Sequence, residues 1–174
     1  MIDLFGAYRG PAEKGLRQER ISRAEAEYLV SAPLSLLSVL ATSVKERKSG
    51  KSVFYNRNFH VEPTNLCVFN CRFCSYRRPA GAPDAWDYSV EEIMEQVEAH
   101  CRSGATEIHI VGGVHPRKDL YYYADLIRKI RERIPSVAVK AFTAIELAYM
   151  SDKAGLSYHD GLAILKEAGM QAIP

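Results

Sequence analysis

Residues 58–74 read NFHVEPTNLCVFNCRFC, and this stretch places three cysteines shortly after a short apolar segment. Residues 59–61 have the aromatic and β-branched character of a strand. Pro63 then interrupts the strand pattern, and Asn65 and Asn70 favour a loop. The stretch therefore predicts a strand whose carboxyl end carries a loop with cysteines spaced C-x3-C-x2-C.

Strand and helix patterns alternate outward from this loop. Predicted strands cover residues 53–55, 59–61, 107–111 and 137–141, with a further strand starting at 172–173. Predicted helices start near Ser22, Pro33, Ser89, Asp119 and Ser157. Strands that alternate with helices of about ten residues are typical of βαβ units and a parallel sheet. Right-handed crossovers curl such a series in one direction.

This order predicts an α/β fold, the N-terminal part of a TIM-like (β/α) barrel preceded by helices. The chain has about four strands, whereas a closed barrel needs roughly six to eight, so we expect a chain truncated after the fourth. A complete, small, open α/β domain is the alternative, although a bare final strand leaves backbone groups unpaired. Residues 1–50 are expected to form an N-terminal arm and helices, with the first 20 residues loosely held. Residues 51–174 are expected to form the partial barrel domain.

Composition excludes several classes of function. The chain of 174 residues is 25% charged and 47% apolar with a net charge of +2, which is typical of a soluble globular protein. The sequence lacks the basic stripe that is typical of nucleic-acid-binding proteins. The longest apolar stretch, residues 33–44, is too short and too polar to span a membrane. Clustered cysteines without a signal sequence indicate reduced thiols and a cytoplasmic location.

Three cysteines on one loop suggest an iron–sulfur cluster. A cubane [4Fe–4S] cluster accepts one cysteine thiolate at each iron. Cys67, Cys71 and Cys74 are therefore expected to share one cluster and to leave its fourth iron open. The alternatives are a zinc site with His60 as the fourth ligand, and a thiol–disulfide centre at Cys71 and Cys74. Cys101 lies on an apolar helical stripe and is expected to be a buried small hydrophobe.

The pattern C-x3-C-x-aromatic-C, with Phe73 as the aromatic residue, resembles the cluster loop of the radical S-adenosylmethionine (SAM) enzymes. The resemblance implies a partial radical SAM barrel and a [4Fe–4S] cluster whose open iron chelates the amino and carboxylate groups of SAM. It implies that one electron from the cluster cleaves the sulfonium and yields a 5′-deoxyadenosyl radical. Phe73 is then a cofactor-binding residue. A flavodoxin or ferredoxin is an expected electron donor.

Longer segments narrow the resemblance to the aminofutalosine synthases, radical SAM enzymes of the futalosine route to menaquinone. The similarity extends from about residue 19 to residue 174 and is clearest in residues 58–65, 74–78, 108–116 and 140–146. It implies a small-molecule substrate, 3-[(1-carboxyvinyl)oxy]benzoate, whose enol-ether double bond accepts the adenosyl radical. Rearrangement and loss of the carboxyl carbon then give aminofutalosine. Dehypoxanthine futalosine cyclases and FO synthases are similar, but less closely.

Residues that follow the second and third strands are cofactor-binding candidates. Gly112 and Gly113 are expected to lie against the methionine end of SAM, and an ordinary turn is the alternative. Thr143 and Glu146 are expected at the same rim, where Glu146 accepts hydrogen bonds from the ribose or the amino group of SAM. The alternative for Glu146 is a carboxylate at a helix N-terminus. His115 either faces the site or is an exposed loop histidine.

Glu62 and His60, at the end of the first strand, are the catalytic candidates. An unpaired carboxylate at a barrel mouth is costly, which favours a substrate- or SAM-binding role for Glu62. His60 faces the same side, two residues earlier, and either reaches the substrate or is a hydrogen-bonded core histidine. Tyr76, Arg77 and Arg78 follow the last cysteine. A guanidinium suits the substrate carboxylates, and a solvated basic loop is the alternative.

Overall fold

A computed structural model of the protein describes residues 5–174. The chain divides into two compact units, one ending at Tyr55 and the other beginning at Asn56. The boundary expected from the sequence lay between residues 50 and 51. The second unit carries the parallel sheet and the cysteine loop.

The first unit is mostly helical over the residues that the structure describes. A 3-10 turn at Gly6–Tyr8 leads into α1, and the helices are α1 (Arg9–Leu16), α2 (Arg23–Val30) and α3 (Leu34–Ser49). The expectation of a loosely held arm over the first 20 residues is wrong for the residues described. Ala12 of α1 is fully buried, and the Lys14 Nζ lies 2.6 Å from the Glu25 carboxylate of α2. Glycines within α1 weaken its helical pattern, but packing against α2 and α3 compensates.

The second unit contains a three-stranded parallel sheet. Its strands are β1 (Asn58–Val61), β2 (Glu107–Ile110) and β3 (Ala138–Ala141), in the spatial order β1-β2-β3. The register sets His60 beside His109 and His109 beside Lys140. A parallel bridge between Lys140 and Ala172 continues the series beyond β3, as the predicted strand at 172–173 requires.

Residues 53–55 do not form the predicted strand. They lie outside the sheet, and their side chains are 81–82% exposed. Three consecutive aromatic or β-branched residues have strand propensity, but a strand exists only where a neighbouring strand accepts its backbone hydrogen bonds. No strand of the described sheet lies beside these residues, so the propensity has no effect.

Four helices complete the second unit, and their N-caps are visible in the sequence. They are α4 (Val90–Arg102), α5 (Leu120–Arg133), α6 (Ala144–Ala154) and α7 (Tyr158–Ala168). Their first turns are capped by Ser89, Asp119, Thr143 and Ser157. The sequence analysis did not predict α6. None of the helices among residues 5–174 combines the length and apolar character that crossing a bilayer requires.

The helices pack on one face of the sheet. The core strand residues are Val61, Ile108, Ile110, Val139 and Ala141, all buried. Cys101 of α4 packs at the edge of this core, and burial raises the pKa of its thiol. The opposite face carries Asn58, His60, Glu107, His109 and Lys140. A parallel sheet with helices on one face and right-handed crossovers curls toward a barrel. The loops after β1 and β2 therefore meet at one edge.

Candidate active site

The loops that follow β1 and β2 form a cavity of about 220 Å³ at the carboxyl edge of the sheet. Its lining comes from the end of β1, the cysteine loop and the loop after β2, and includes Glu62, Cys67, Cys74, Arg77, Gly112 and Gly113. Active sites of (β/α) barrels lie at this edge. The cavity is smaller than the roughly 300–1,000 Å³ of typical ligand pockets. These residues therefore supply part of the wall of a site.

Asn65 holds the two ends of the loop between β1 and α4 together. Its side chain is 1% exposed. Its Nδ2 donates to the carbonyl of Asp84 (3.0 Å), and its Oδ1 accepts from the backbone N–H of Trp86 (2.8 Å). The neighbouring Thr64 hydroxyl donates to the Trp86 carbonyl (2.9 Å). Residues about 20 positions apart in sequence are thereby joined, and the cysteines lie on the enclosed segment.

Arg78 organises the segment that follows the last cysteine. Its Nη1 donates to the carbonyls of Ser75 (2.8 Å), Tyr76 (3.2 Å) and Arg77 (3.0 Å). Its Nε lies 2.5 Å from Oδ2 of Asp84. This guanidinium holds the pKa of the Asp84 carboxyl below its usual value. Arg78 therefore closes a tight turn and is not the solvated basic residue that one alternative predicted.

Gly112 and Gly113 lie where two backbone segments approach closely. A Cβ on Gly112 would lie 2.8 Å from the Thr64 carbonyl oxygen, and one on Gly113 would lie 2.3 Å from that of Leu66. The Gly113 N–H donates to the Thr64 carbonyl (2.7 Å). Only glycine permits this approach, so the pair holds the cysteine loop against the end of β2. Both glycines also line the cavity, and their contact with SAM stays a prediction.

The structure separates the three cysteines into two positions. Cys67, which is half-buried, and Cys74, which is exposed, line the cavity, whereas Cys71, also exposed, is not part of its lining. A turn joins the last two, because the Cys74 N–H donates to the Cys71 carbonyl (3.1 Å). Among residues 5–174, no three Cys, His, Asp or Glu side chains converge closely enough to hold a metal ion. Phe73, expected to bind the cofactor, is 104% exposed and points away from the protein.

The residues nevertheless fit a [4Fe–4S] cluster in donor chemistry and in chain position. All three cysteines are free thiols on one loop, and a single turn keeps Cys71 close to Cys74 in the chain. Two of the three cysteines line a cavity that the Gly112–Gly113 backbone also lines. Metal binding and the ordering of its ligands are coupled. We therefore expect the Cys71 side chain to turn toward the other two when the loop binds a cluster.

Glu146 is a buried carboxylate that ties α6 to the glycine loop. Its Oε2 accepts from the backbone N–H (2.6 Å) and the hydroxyl (2.7 Å) of Thr143. Its Oε1 accepts from the N–H of Gly112 (3.2 Å). Burial raises the pKa of this carboxyl, although the hydrogen bonds from Thr143 and Gly112 oppose the rise. Thr143 and Glu146 form the capping box of α6, and their contact with SAM stays a prediction.

The catalytic candidates occupy different levels of the sheet. Glu62 lines the cavity, as its position at the end of β1 predicts. His60 is exposed on the face away from the helices, and its ring centre lies 4.6 Å from that of His109. Burial lowers the pKa of the His109 imidazole, and the charges of His60 and Lys140 lower it further. His60 is not among the residues that line this cavity, and its catalytic role stays a prediction.

His115 is neither an exposed histidine nor a residue of this cavity. It is 3% exposed, and its Nδ1 accepts from the backbone N–H groups of Arg117 and Lys118, both at 3.0 Å. Its Nε2 lies 3.4 Å from Oδ2 of Asp87, without hydrogen-bond geometry. Burial lowers the pKa of this imidazole. Because Nδ1 accepts two hydrogen bonds, a neutral His115 shapes the loop that continues from Gly113.

Sequence reasoning missed the residues that fix the shape of the cysteine loop. Trp86 is one of these residues, because its Nε1 donates to the Glu62 carbonyl (3.2 Å). Asn65 was interpreted only as a loop former. The available signal was the concentration of Asn, Asp and Thr on both sides of the cysteines, because these side chains bond to backbone groups in loops. That signal does not identify which distant backbone group each side chain reaches.

Several proteins have sequences similar to most of this chain. It is 39% identical over 164 residues to the aminodeoxyfutalosine synthase of Thermus thermophilus, which covers 94% of this chain and 44% of that protein. It is 37% identical over 156 residues to the FO synthase of Mycobacterium tuberculosis, which covers 86% of this chain and 18% of that protein. The chain thus spans less than half the length of either relative.

The fold and the family agree. The X-ray structure of HydG, the FeFe-hydrogenase maturase of Carboxydothermus hydrogenoformans, matches with a TM-score of 0.64 and 21% identity over 97% of this chain and 47% of that chain. The profile of the radical SAM superfamily matches residues 61–173, which include the cysteine loop and the glycine pair. Members of this superfamily use a [4Fe–4S] cluster and SAM. The chain therefore belongs to the radical SAM superfamily, and its α/β unit is part of that superfamily's barrel.

Proposed function

We propose that this chain supplies the cofactor-binding part of an aminofutalosine synthase, a transferase of menaquinone biosynthesis. Its substrate is 3-[(1-carboxyvinyl)oxy]benzoate, and its product is aminofutalosine, also called aminodeoxyfutalosine. The observation that carries the proposal is the 39% identity to the Thermus thermophilus enzyme across 94% of the chain. The arrangement of two cysteines, a glycine pair and Glu62 around one cavity supports it.

The chain's own residues hold and orient the reactants. Cys67, Cys71 and Cys74 hold the cluster as thiolates and leave one iron without a protein ligand. When bound, the cluster and SAM supply the 5′-deoxyadenosyl radical that adds to the substrate double bond. The backbone of Gly112 and Gly113 lines the same cavity as Cys67 and Cys74 and lies against the methionine end of SAM. A Cβ on either glycine would clash with the Thr64 or Leu66 carbonyl oxygen and displace the cysteine loop. Orientation of this kind converts a bimolecular step into a positioned one.

Four other side chains complete the proposed site. Glu62 faces the cavity and binds the substrate or SAM through its carboxylate. His60 lies one layer below it on β1 and contacts the substrate from the interior of the barrel. Glu146 accepts a hydrogen bond from the Gly112 N–H, and Thr143 donates to the Glu146 carboxylate. Both side chains therefore act on SAM through the position of the glycine pair.

The proposed function also implies a cellular location, an electron donor and a class of binding partner. The four free cysteines suit the reducing cytoplasm. A flavodoxin or ferredoxin is proposed as the electron donor, since SAM cleavage consumes one electron. The near-balanced net charge of +2 favours a small-molecule substrate and offers no basis for binding nucleic acid or a membrane surface.

Related radical SAM reactions are the competing assignments. The FO synthase of Mycobacterium tuberculosis is only slightly less similar, at 37% identity. The two reaction types differ in the fate of the radical. A synthase of the proposed type retains the adenosyl group covalently in its product. An enzyme that abstracts hydrogen, such as a dehypoxanthine futalosine cyclase, releases free 5′-deoxyadenosine.

The test uses the intact protein that contains this chain, reconstituted anaerobically with iron and sulfide. We expect visible iron–sulfur absorbance and, with SAM, a reductant and 3-[(1-carboxyvinyl)oxy]benzoate, a product that contains the adenosyl group. Replacement of Cys67, Cys71 or Cys74 by alanine should abolish both. Cys101→Ala is the matched control and should retain both, because Cys101 packs against the core. A colourless zinc-loaded protein, or free 5′-deoxyadenosine without an adenosylated product, would overturn the proposal.

A further inference from the structure

Two opposite charges line the cavity without pairing. Arg77 and Glu62 both contribute to its wall. In the described part of the chain, neither side chain takes part in a salt bridge or a side-chain hydrogen bond. The Nε of Arg77 is buried and has no partner. Buried donors without partners are rare in folded proteins, and each one calls for an explanation.

The neighbouring Arg78 differs from Arg77 in its contacts. Arg78 uses its Nε and Nη1 within the protein, on Asp84 and on three backbone carbonyls. Arg77 makes no such contact, although it occupies the adjacent position of the same loop. The backbone around Arg77 is held by Arg78, so its side chain is presented to the cavity from a fixed support. The loop thus assigns one arginine to its own structure and leaves the other for a ligand.

The chemistry of a guanidinium defines the ligand class. Its planar set of N–H donors matches the two oxygens of a carboxylate in a bidentate pair. We propose that Arg77 binds a carboxylate of a ligand held between Cys67, Cys74 and the glycine pair. This inference rests on the proposed function for its two sources of a carboxylate. These are the methionine end of SAM and the substrate 3-[(1-carboxyvinyl)oxy]benzoate.

The experiment measures ligand binding to the intact, cluster-reconstituted protein. Arg77→Gln removes the charge and the fork, and Arg77→Lys keeps the charge alone. We expect Arg77→Gln to weaken one carboxylate ligand about 10- to 100-fold, as is usual for a charged hydrogen-bonded pair. Arg77→Lys should give a smaller loss. Arg72→Gln is the matched control, because Arg72 is an exposed arginine of the same loop outside the cavity wall.

The two sources are separated by titrating each ligand on its own. A higher Kd for SAM alone identifies the SAM carboxylate, and a higher Kd for the substrate alone identifies a substrate carboxylate. Unchanged Kd values for both in Arg77→Gln would overturn the inference. Iron content and far-ultraviolet circular dichroism must equal those of the wild type, which excludes misfolding as the cause. If the wild type fails to bind the substrate, the proposed function fails, and the Kd for SAM alone then decides the role of Arg77.

Discussion

Replacement of Asn65 by alanine tests whether one buried amide holds the cysteine loop in shape. The Asn65 side chain is 1% exposed and joins the Asp84 carbonyl to the Trp86 N–H. Alanine removes both hydrogen bonds and leaves a space that the surrounding backbone fills poorly. The Trp86 N–H then loses its acceptor, which is Oδ1 of Asn65.

The magnitude follows from these contacts. Each lost hydrogen bond costs about 1 kcal/mol net, and a buried donor left unsatisfied costs roughly 1–3 kcal/mol. The Asp84 residue is exposed, so water replaces part of the loss at its carbonyl. We therefore expect the free energy of unfolding to fall by about 2–4 kcal/mol. With a urea dependence of about 2 kcal/mol per molar, in the middle of the usual range, the unfolding midpoint should fall by roughly 1–2 M.

The assay is urea unfolding of the intact protein, followed by circular dichroism, together with iron bound per protein after reconstitution. Asn70→Ala is the matched control. Asn70 is an exposed asparagine of the same loop, and no hydrogen bond of its side chain is present in the described structure. Its variant should unfold within about 0.5 kcal/mol of the wild type, as is usual for surface substitutions. If Asn65→Ala behaves like Asn70→Ala in both measurements, the loop does not depend on this amide.

Two further predictions concern the glycine loop and the helix that supports it. Gly113→Ala should destabilise the protein and reduce cluster loading, because its Cβ would lie 2.3 Å from the Leu66 carbonyl oxygen. Gly10→Ala is the control and should be neutral or stabilising, because no atom lies within 4 Å of the new Cβ. Equal unfolding midpoints for the two variants would contradict this reasoning. Burial raises the pKa of Glu146, so its proton stabilises the native state, and the stability advantage of wild type over Glu146→Gln should shrink as pH rises from about 4.5 toward neutrality. The exposed Glu92 occupies the same capping position in α4, but hydrogen bonds from Ser89 lower its pKa, so the advantage of wild type over Glu92→Gln should stay nearly constant from about pH 4.5 to neutrality and should shrink as the pH falls below 4.5. Urea unfolding at several pH values in which both advantages shrink as the pH rises would refute the assignment.

Local signals in the sequence predicted much of the secondary structure. Ser22 and Ser89 form capping boxes with the glutamates three residues later, and α2 and α4 begin there. Residues 107–111 and 137–141 were predicted as strands, and β2 and β3 lie within them. These signals involve residues a few positions apart, so the sequence contains both partners of each interaction. Capping and strand propensity are therefore readable without a fold.

The same kind of signal was insufficient where a distant partner decides. Residues 53–55 have strand propensity, but no neighbouring strand pairs with them. The helix α6 has a capping box at Thr143 and ends at Gly155, so the sequence contains a start signal and a stop signal for it. Strand formation requires a partner that sequence position does not specify. The backbone hydrogen bonds and caps of a helix involve only residues close in sequence, so the bounds of α6 were predictable in principle.

The sequence by itself determined the cysteine spacing, the alternation of strands and helices, and the resemblance that led to the superfamily. Only the tertiary structure decided that Arg77 faces the cavity while Arg78 serves the loop. It also decided that Glu146, a capping residue, reaches a glycine 34 positions away. The cysteines that ligate the cluster and the residues that cap the helices are recognised from residue types a few positions apart. The direction of a side chain and the partner of a buried polar group depend on which distant backbone segments the fold brings together.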